Sequence, residues 1–157
     1  MDIYTVSFFG HRELYDFTRY EEILEKHIRN LIEVKEYVDF LVGRDGDFDQ
    51  LVSSTIIRCV DKYAYGNTHH ILVLPYMRAE YRDNMDSFLK YYDEVEICSS
   101  SYDAHYKSAI TIRNRDMVDR SDFIFFCVDR EGGAYKTMKY AEKQKKPYIN
   151  IAECCDS

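Results

Sequence analysis

The feature that most constrains the fold of this chain is the regular alternation of strand-like and helix-like segments along its 157 residues. The strongest strand-like segment, residues 123–128, is a continuous apolar run, which is typical of a strand buried on both faces of a parallel sheet. Strands that alternate with helices in this way are typical of layered α/β domains. We therefore predict a single α/β domain over residues 1–157, with three layers and a mainly parallel sheet.

The remaining elements follow from hydrophobic periodicity and from turn residues. Thr18 with Glu21 forms a capping-box pattern, which predicts that the first helix begins at this point. Pro147 ends the last helix. Further strands are predicted at 3–9, 37–42, 71–74, 94–98 and 148–151, and helices at about 18–31, 48–63, 79–92, 105–120 and 133–145.

Composition narrows the classes of partner and the cellular compartment. A net charge of −7 disfavours a general nucleic-acid-binding surface, which usually has a basic excess, so we expect no nucleic-acid partner. No apolar run is long enough to span a membrane and no signal-peptide pattern is present, so we expect a cytoplasmic protein with no membrane partner. The five cysteines lack CxxC spacing, which predicts reduced thiols and neither a disulfide framework nor a metal site.

Three glycine-containing turns follow predicted strands, and together they form the candidate binding site. In open α/β sheets, ligands bind at the carboxyl ends of the strands, near the point where the strand order reverses. No catalytic residue is identified. The candidate ligand-binding residues in and near these turns are Gly10, His11, Arg12, Gly43, Arg44, Asp49, Arg113, Asn114, Arg115, Gly132, Gly133 and Thr137.

These residue types suit a phosphate-bearing ligand. Glycine lets the backbone approach a phosphate, arginine provides charged hydrogen-bond donors, and a helix N-terminus after a glycine turn favours an anion. Asp49 either caps the second helix or accepts hydrogen bonds from ribose hydroxyls. Arg113 and Arg115 do not share a helix face, so we expect one of them to face the ligand. The alternative for each turn is an ordinary strand end with solvated side chains.

Aromatic side chains offer a place for a nucleobase. The chain has fifteen tyrosines and no tryptophan, and most of the tyrosines are expected to serve packing. The candidates for stacking on a base are Tyr76, Tyr102, Tyr106 and Tyr135.

In their order and spacing, these segments resemble the SLOG superfamily of Rossmann-like domains, which includes the DNA-processing protein A family and the "Lonely guy" phosphoribohydrolases. The resemblance is strongest to a branch of small, single-domain bacterial and phage proteins, and it covers nearly the whole chain. The segments that carry it are Phe9-Gly10-His11-Arg12, Phe40-Leu41-Val42-Gly43 through Phe48-Asp49, Val73-Leu74-Pro75-Tyr76, Ala109-Ile110, Arg113-Asn114-Arg115-Asp116-Met117-Val118, Ser121-Asp122, Gly132-Gly133-Ala134 through Lys136-Thr137, Lys146 and Asn150-Ile151.

The resemblance implies a Rossmann-like fold and a nucleotide or nucleotide-derived ligand, with no cofactor. It also implies a homo-oligomer and a sensing or sequestering role, as in conflict between phage and host. The rival function is an N-glycosidase that releases a base from a nucleoside phosphate. The phosphoribohydrolases place a catalytic glutamate early in the helix after the glycine turn, and this chain has no acid there. The acid would have to be Asp45, Asp49, Asp122 or Glu131. A third alternative is a protein-interaction module with a degenerate pocket.

Overall fold

Six strands form one sheet in the order β4-β3-β2-β1-β5-β6, and each of its pairings is parallel. A computed structural model describes residues 1–101 and 104–153. The strands are β1 (Ile3–Gly10), β2 (Tyr37–Val42), β3 (Thr68–Leu74), β4 (Glu94–Ile97), β5 (Phe123–Cys127) and β6 (Tyr148–Asn150). The helices are α1 (Phe17–Val34), α2 (Asp47–Tyr63), α3 (Ala79–Arg82), α4 (Met85–Tyr91), α5 (Tyr106–Asp119) and α6 (Gly133–Lys143), with 3₁₀ turns at Ser99–Ser101 and Ile151–Glu153.

The sheet is buried on both faces, which confirms the predicted three-layer α/β architecture. Successive residues of a strand point to opposite faces, and two neighbours in β1 show the result. Phe8 packs against Phe125 on the face covered by α1 and α2, with ring centroids 5.3 Å apart. Phe9 packs against Phe126 on the face covered by α5 and α6, at 5.6 Å.

Strand order reverses between β1 and β5. The chain builds β1 to β4 outward in one direction, then crosses through α5 to place β5 on the other side of β1. A crevice opens at such a point because the connections that leave the two neighbouring strands run to opposite faces of the sheet. The carboxyl ends of β1, β2 and β5 all lie at this edge. Among the described residues, no helix is long and apolar enough to cross a membrane.

Two helix boundaries differ from the sequence-based prediction. The first helix starts at Phe17 rather than after a Thr18 cap, because the carbonyl of Asp16 already accepts the N–H of Tyr20 at 3.2 Å. The helix predicted over 79–92 is two short helices. The Asn84 side-chain amide donates to the Glu80 carbonyl at 2.8 Å, and a continuous helix would use that carbonyl for the backbone N–H of Asn84.

The start of β3 and the end of β6 also differ from the sequence-based prediction. β3 begins at Thr68, three residues earlier than predicted, because its first residues pair with Val38 and Asp39 of β2. The final strand ends at Asn150, and the next residue, Ile151, enters a 3₁₀ turn. The first difference comes from a partner elsewhere in the chain, which local residue preferences do not reveal.

The loop after β1 lies directly on the first turn of α2. The N–H of Asp47 donates to the carbonyl of Arg12 at 2.8 Å, and the N–H of Phe48 donates to that of His11 at 3.4 Å. A Cβ added to Gly10 would lie 2.3 Å from Cγ of the fully buried Phe48 ring. A Cβ on Gly46, whose φ is +155°, would lie 2.5 Å from Cα of Arg12. Both glycines are therefore required for this close approach.

We expect Gly10→Ala to lower the free energy of unfolding by about 1–3 kcal/mol or more, because the added methyl group overlaps a buried ring that has no room to move. Gly133→Ala is the matched control, since a Cβ there would meet no atom within 4 Å. Urea unfolding followed by circular dichroism compares the two variants with the parent. Equal stability of the two variants would contradict this account of the loop.

Candidate functional site

A cavity of about 400 Å³ opens at the carboxyl edge of β1 and β2, between α5 and the start of α6. It lies at the strand-order reversal described above. Its volume is within the range of small-molecule sites. The lining residues are Phe8, Phe9, Gly10, His11, Arg12, Glu13, Gly43, Asp45, Asp49, Ile110, Arg113, Asn114, Met117, Arg130, Gly133 and Ala134.

The structure brings most of the predicted site residues to this cavity and leaves four of them outside its lining. The predicted residues that line it are Gly10, His11, Arg12, Gly43, Asp49, Arg113, Asn114 and Gly133. Those that do not are Arg44, Arg115, Gly132 and Thr137. The two groups of predicted residues therefore have different surroundings, which the following paragraphs describe.

Arg113 is the buried cation of the site. Helix α5 presents it to the cavity, and only 6% of the residue is exposed. Its Nη1 donates to the Val73 carbonyl at 2.8 Å and its Nε to Asn114 Oδ1 at 2.9 Å. Its Nη2 lies 3.9 Å from Asp45 Oδ2 and makes no hydrogen bond within the described part of the chain. Burial lowers the pKa of Arg113, and the charges of Asp49 and Asp45 oppose that shift.

Asp45 is already paired with an arginine that follows β3. Arg78 contacts its carboxylate with both terminal nitrogens, Nη1 to Oδ1 at 2.6 Å and Nη2 to Oδ2 at 3.0 Å. Burial alone would raise the pKa of Asp45, but the Arg78 pair, with Arg113 and Arg12, lowers it below its usual value. Asp45 is therefore an ionised structural partner and does not neutralise Arg113 completely.

Asp49 is a carboxylate with few partners. One oxygen accepts the backbone N–H of Asp45 at 2.8 Å and lies 2.8 Å from where a Cβ of Gly43 would be. Among the described residues, it forms no other hydrogen bond and no ion pair within 4 Å. Burial raises the pKa of Asp49 to about 6, although the Asp45 N–H and the charge of Arg113 act in the opposite direction.

His11 is held as a neutral ring at the wall of the cavity. Its Nε2 accepts the backbone N–H of Asp129 at 3.1 Å and lies 3.3 Å from the carboxylate of the same residue. Burial and the charge of Arg130 lower the pKa of His11, against the raising effect of Asp129. The ring thus joins the β1–α1 loop to the segment after β5, so that both sides of the crevice are connected.

Asn114 and Thr137 connect α5 to α6. The Asn114 side-chain amide donates to Thr137 Oγ1 at 3.3 Å, and the Thr137 hydroxyl donates to the Gly133 carbonyl at 3.0 Å. Thr137 is buried behind the lining, so its contribution is to fix the first turn of α6. Gly132 has a φ of +153°, which an L side chain rarely adopts.

Arg44 and Arg115 have partners away from the cavity. The Arg44 guanidinium donates to Tyr92 Oη and Glu80, and stacks 4.4 Å over the ring of Phe88. Arg115 is exposed, with its guanidinium 5.0 Å from the centroid of the Tyr140 ring. Of the two arginines in the α5 tripeptide, Arg113 alone lines the cavity.

The two helix N-termini at the site differ in what they offer an anion. The first two N–H groups of α2 donate to the carbonyls of the β1–α1 loop, so they are not available to a ligand. At α6, a Cβ on Gly132 or on Gly133 would meet no atom within 4 Å, so the space beside this helix start is open. The first N–H groups of a helix have no partner within the helix, and α6 therefore offers donors to an anion.

Several residues of the site were missed by sequence reasoning. Arg78 was not singled out, and the only signal for it is an arginine shortly after Pro75, at the end of a strand. Arg130 lies before the glycine pair and donates to the Glu13 carbonyl at 2.7 Å. The apolar wall of the cavity is made by Phe9, Ile110, Met117 and Ala134.

The structure also describes the surroundings of two tyrosines predicted to stack on a base and of three cysteines. Tyr135 has the Lys139 ammonium 5.2 Å from its ring centroid, and Tyr76 has Arg78 at 5.5 Å. Tyr102, Cys154 and Cys155 lie outside the described residues. The other three cysteines are buried and unbridged. Within residues 1–101 and 104–153, no group of three or more histidine, cysteine or acidic side chains is placed to hold a metal ion.

Two solved structures with a similar fold are those of DNA processing proteins. One is DNA processing protein A from Helicobacter pylori, described for its single-stranded DNA binding mode, with a TM-score of 0.61 and 15% identity over 92% of this chain and 63% of that chain. Another is DNA processing protein A from Streptococcus pneumoniae, with a TM-score of 0.64 and 13% identity over 93% of this chain and 49% of that chain. This chain therefore spans about half to two thirds of their length. No family model and no curated protein matches this sequence.

These similarities confirm a Rossmann-like fold similar to that of DNA processing protein A. At such low identity they bear on the fold alone. The narrower branch of single-domain bacterial and phage proteins stays a prediction. The expectation that nucleic acid is not a partner gains no support, because one neighbour is described for binding single-stranded DNA.

We expect Arg78→Ala to lower the free energy of unfolding by about 2 kcal/mol, because it leaves the partly buried Asp45 carboxylate without its paired donors. Arg82→Ala is the matched control. Its ion pair with Asp83 is exposed, so the loss should stay below about 0.5 kcal/mol. Urea denaturation of both variants at pH 7 makes the comparison, and a small, equal effect would show that Asp45 does not depend on Arg78.

Proposed function

We propose that this protein binds a nucleotide or a nucleotide-derived small molecule in the cavity, as a sensor or a sequestering protein. The observation that carries the proposal is Arg113, a buried guanidinium that lines the cavity with one nitrogen free of hydrogen bonds among the described residues. A buried cation is costly unless an anion accompanies it, and Asp45 is engaged with Arg78. A phosphate oxygen on Nη2 would complete the set of partners.

The lining of the cavity offers groups for both parts of a nucleotide. Arg12, Arg113 and the start of α6 offer cationic and N–H groups to a phosphate. Ile110, Met117 and the other apolar lining residues offer apolar surface to a base. This pairing of a few charged groups with apolar side chains is typical of small-molecule sites. An inorganic anion would use only the charged groups.

Native mass spectrometry with AMP, ADP-ribose and cyclic nucleotides tests this proposal. We expect an adduct at the mass of the intact ligand. Arg113→Ala should weaken it about tenfold to a hundredfold, because it removes charge-assisted hydrogen bonds worth about 1.5–3 kcal/mol. The same spectra report the oligomeric state, for which the sequence predicts a homo-oligomer.

Two further variants separate binding from folding. Arg12→Ala removes an exposed lining cation, so its fold should persist while its adduct weakens. Arg115→Ala, two residues from Arg113 on the same helix, should bind like the parent because Arg115 lies outside the lining. Equal losses in Arg12→Ala and Arg115→Ala would contradict the site. No adduct with any nucleotide would favour the interaction module with a degenerate pocket.

Single-stranded DNA belongs in the same panel, because one protein of similar fold is described for binding it. The net charge of −7 and the depth of Arg113 favour a small ligand over a polymer. Binding of an oligonucleotide that Arg113→Ala leaves unchanged would show that DNA uses another surface.

One observation favours the N-glycosidase as a second candidate, and it concerns Asp49. Three of the four candidate acids do not suit the role of general acid. Asp45 is paired with Arg78, and Glu131 does not line the cavity. Asp122 accepts the Thr5 N–H at the opposite edge of the sheet. Asp49 lines the cavity, and its pKa of about 6 is near neutrality, where a general acid works best.

We expect a glycosidase to release free base from AMP over time, and Asp49→Asn to slow this release at least a hundredfold, since the general acid is lost. Glu131→Gln is the control and should keep the parental rate, because this exposed side chain is outside the lining. Liquid chromatography of the reaction mixture measures the base. No release from any nucleotide that forms an adduct would exclude the enzyme and leave the binding protein.

A further inference from the structure

We propose that the site takes up one proton from solvent together with its anionic ligand, and that Asp49 holds this proton as a carboxylic acid whose O–H donates to the ligand. The inference rests on the proposed function, because it concerns the same cavity. It goes further by assigning a protonation state to the complex and a donor role to a residue that the sequence suggests as an acceptor.

The first argument is the count of hydrogen bonds at Asp49. An ionised carboxylate has about four lone-pair positions, and the Asp49 side chain lines the cavity and is partly exposed. Asp49 accepts one backbone N–H, from Asp45, and the described residues supply no second donor. Its side chain rests against the backbone of Gly43, where a Cβ would lie 2.8 Å from Oδ2. One oxygen is thus occupied, and the other can carry a proton.

The second argument is the charge around Asp49 from each element packed against it. Arg113 of α5 and Arg12 of the β1–α1 loop favour its ionised form, whereas Asp45 of its own turn favours the neutral form. Tyr92, which follows α4, is a neutral phenol whose pKa is raised, mainly by burial. Among the described residues, Asp49 has no cation within 4 Å, whereas Nη2 of Arg113 lies 3.9 Å from Asp45 Oδ2.

Ligand binding changes this balance. When an anion contacts Nη2 of Arg113, it brings a further negative charge into the cavity that Asp49 also lines. An ionised Asp49 would then share the cavity with a second anion, which is unfavourable. The neutral acid avoids this repulsion and adds one donor to the ligand. Burial already raises the pKa of Asp49 to about 6, and the negative charge of the ligand raises it further.

His11 is the other titratable group of the cavity that could take up a proton on binding. Its Nε2 accepts the Asp129 N–H, so protonation there would break a hydrogen bond between the two sides of the crevice. The charge of Arg130 also opposes its protonation. We therefore assign the proton to Asp49, and the experiment below separates the two groups.

Isothermal titration calorimetry with ADP-ribose between pH 5.5 and 8.5, in buffers of different ionisation enthalpy, measures proton uptake. ADP-ribose is used because a phosphate monoester titrates near pH 6 itself. Sulfate, which remains a dianion over this range, is a second probe. For the parent we expect uptake to approach one proton above pH 7, and Kd to rise about tenfold from pH 7 to pH 8.

Asp49→Asn should bind with an affinity that does not change with pH and should take up no proton, because the amide keeps the acceptor for Asp45 N–H and provides a permanent donor. Glu131→Gln, an exposed change outside the lining, should behave as the parent. Binding without proton uptake in the parent, or full uptake in Asp49→Asn, would overturn the assignment. If neither probe binds or raises the melting temperature at pH 5.5, the proposed function itself fails, and this inference fails with it.

Discussion

The close contact between the β1–α1 loop and the first turn of α2 is the constraint on which the rest of this site depends. It requires a glycine on each side, Gly10 against the Phe48 ring and Gly46 against the backbone of Arg12. The two backbone hydrogen bonds that form there fix His11 and Arg12 relative to α2. Because the ring of His11 in turn accepts the Asp129 N–H, the same contact sets the separation of the two sides of the crevice.

This contact also decides how charge is recognised. The N-terminus of α2 is used to hold the loop, so it is no longer an anion site. The groups that remain to bind an anion are the open start of α6 and Arg113, a side chain buried in the crevice. A buried guanidinium needs fixed partners on its other nitrogens, and the Val73 carbonyl and Asn114 provide them. The arrangement leaves Nη2 of Arg113 without a hydrogen bond among the described residues, and the fold sets the position of this guanidinium.

The architecture was predictable because it depends on local signals, whereas the roles of side chains were not. The apolar run at 123–128 and the glycine turns predicted a parallel sheet and the edge that holds the cavity. Arg44 and Asp45 show why the local sequence does not predict the roles of side chains. They are neighbours in one turn, yet Arg44 packs on Phe88 while Asp45 enters the cavity. The partner of Asp45 is Arg78, 33 residues away, and the low number of partners of Asp49 follows from packing alone.

The arginines around the cavity lie at two depths, and this has a consequence for selectivity. Arg12 and Arg130 are exposed at its rim, where they attract any anion and are screened by salt. Arg113 is reached only by a group small enough to enter the crevice, and its charge acts in a drier environment, where it is worth more. The net charge of −7 over the whole chain repels polyanions from other surfaces. Depth, more than total charge, therefore favours a compact phosphate-bearing ligand over a nucleic-acid backbone.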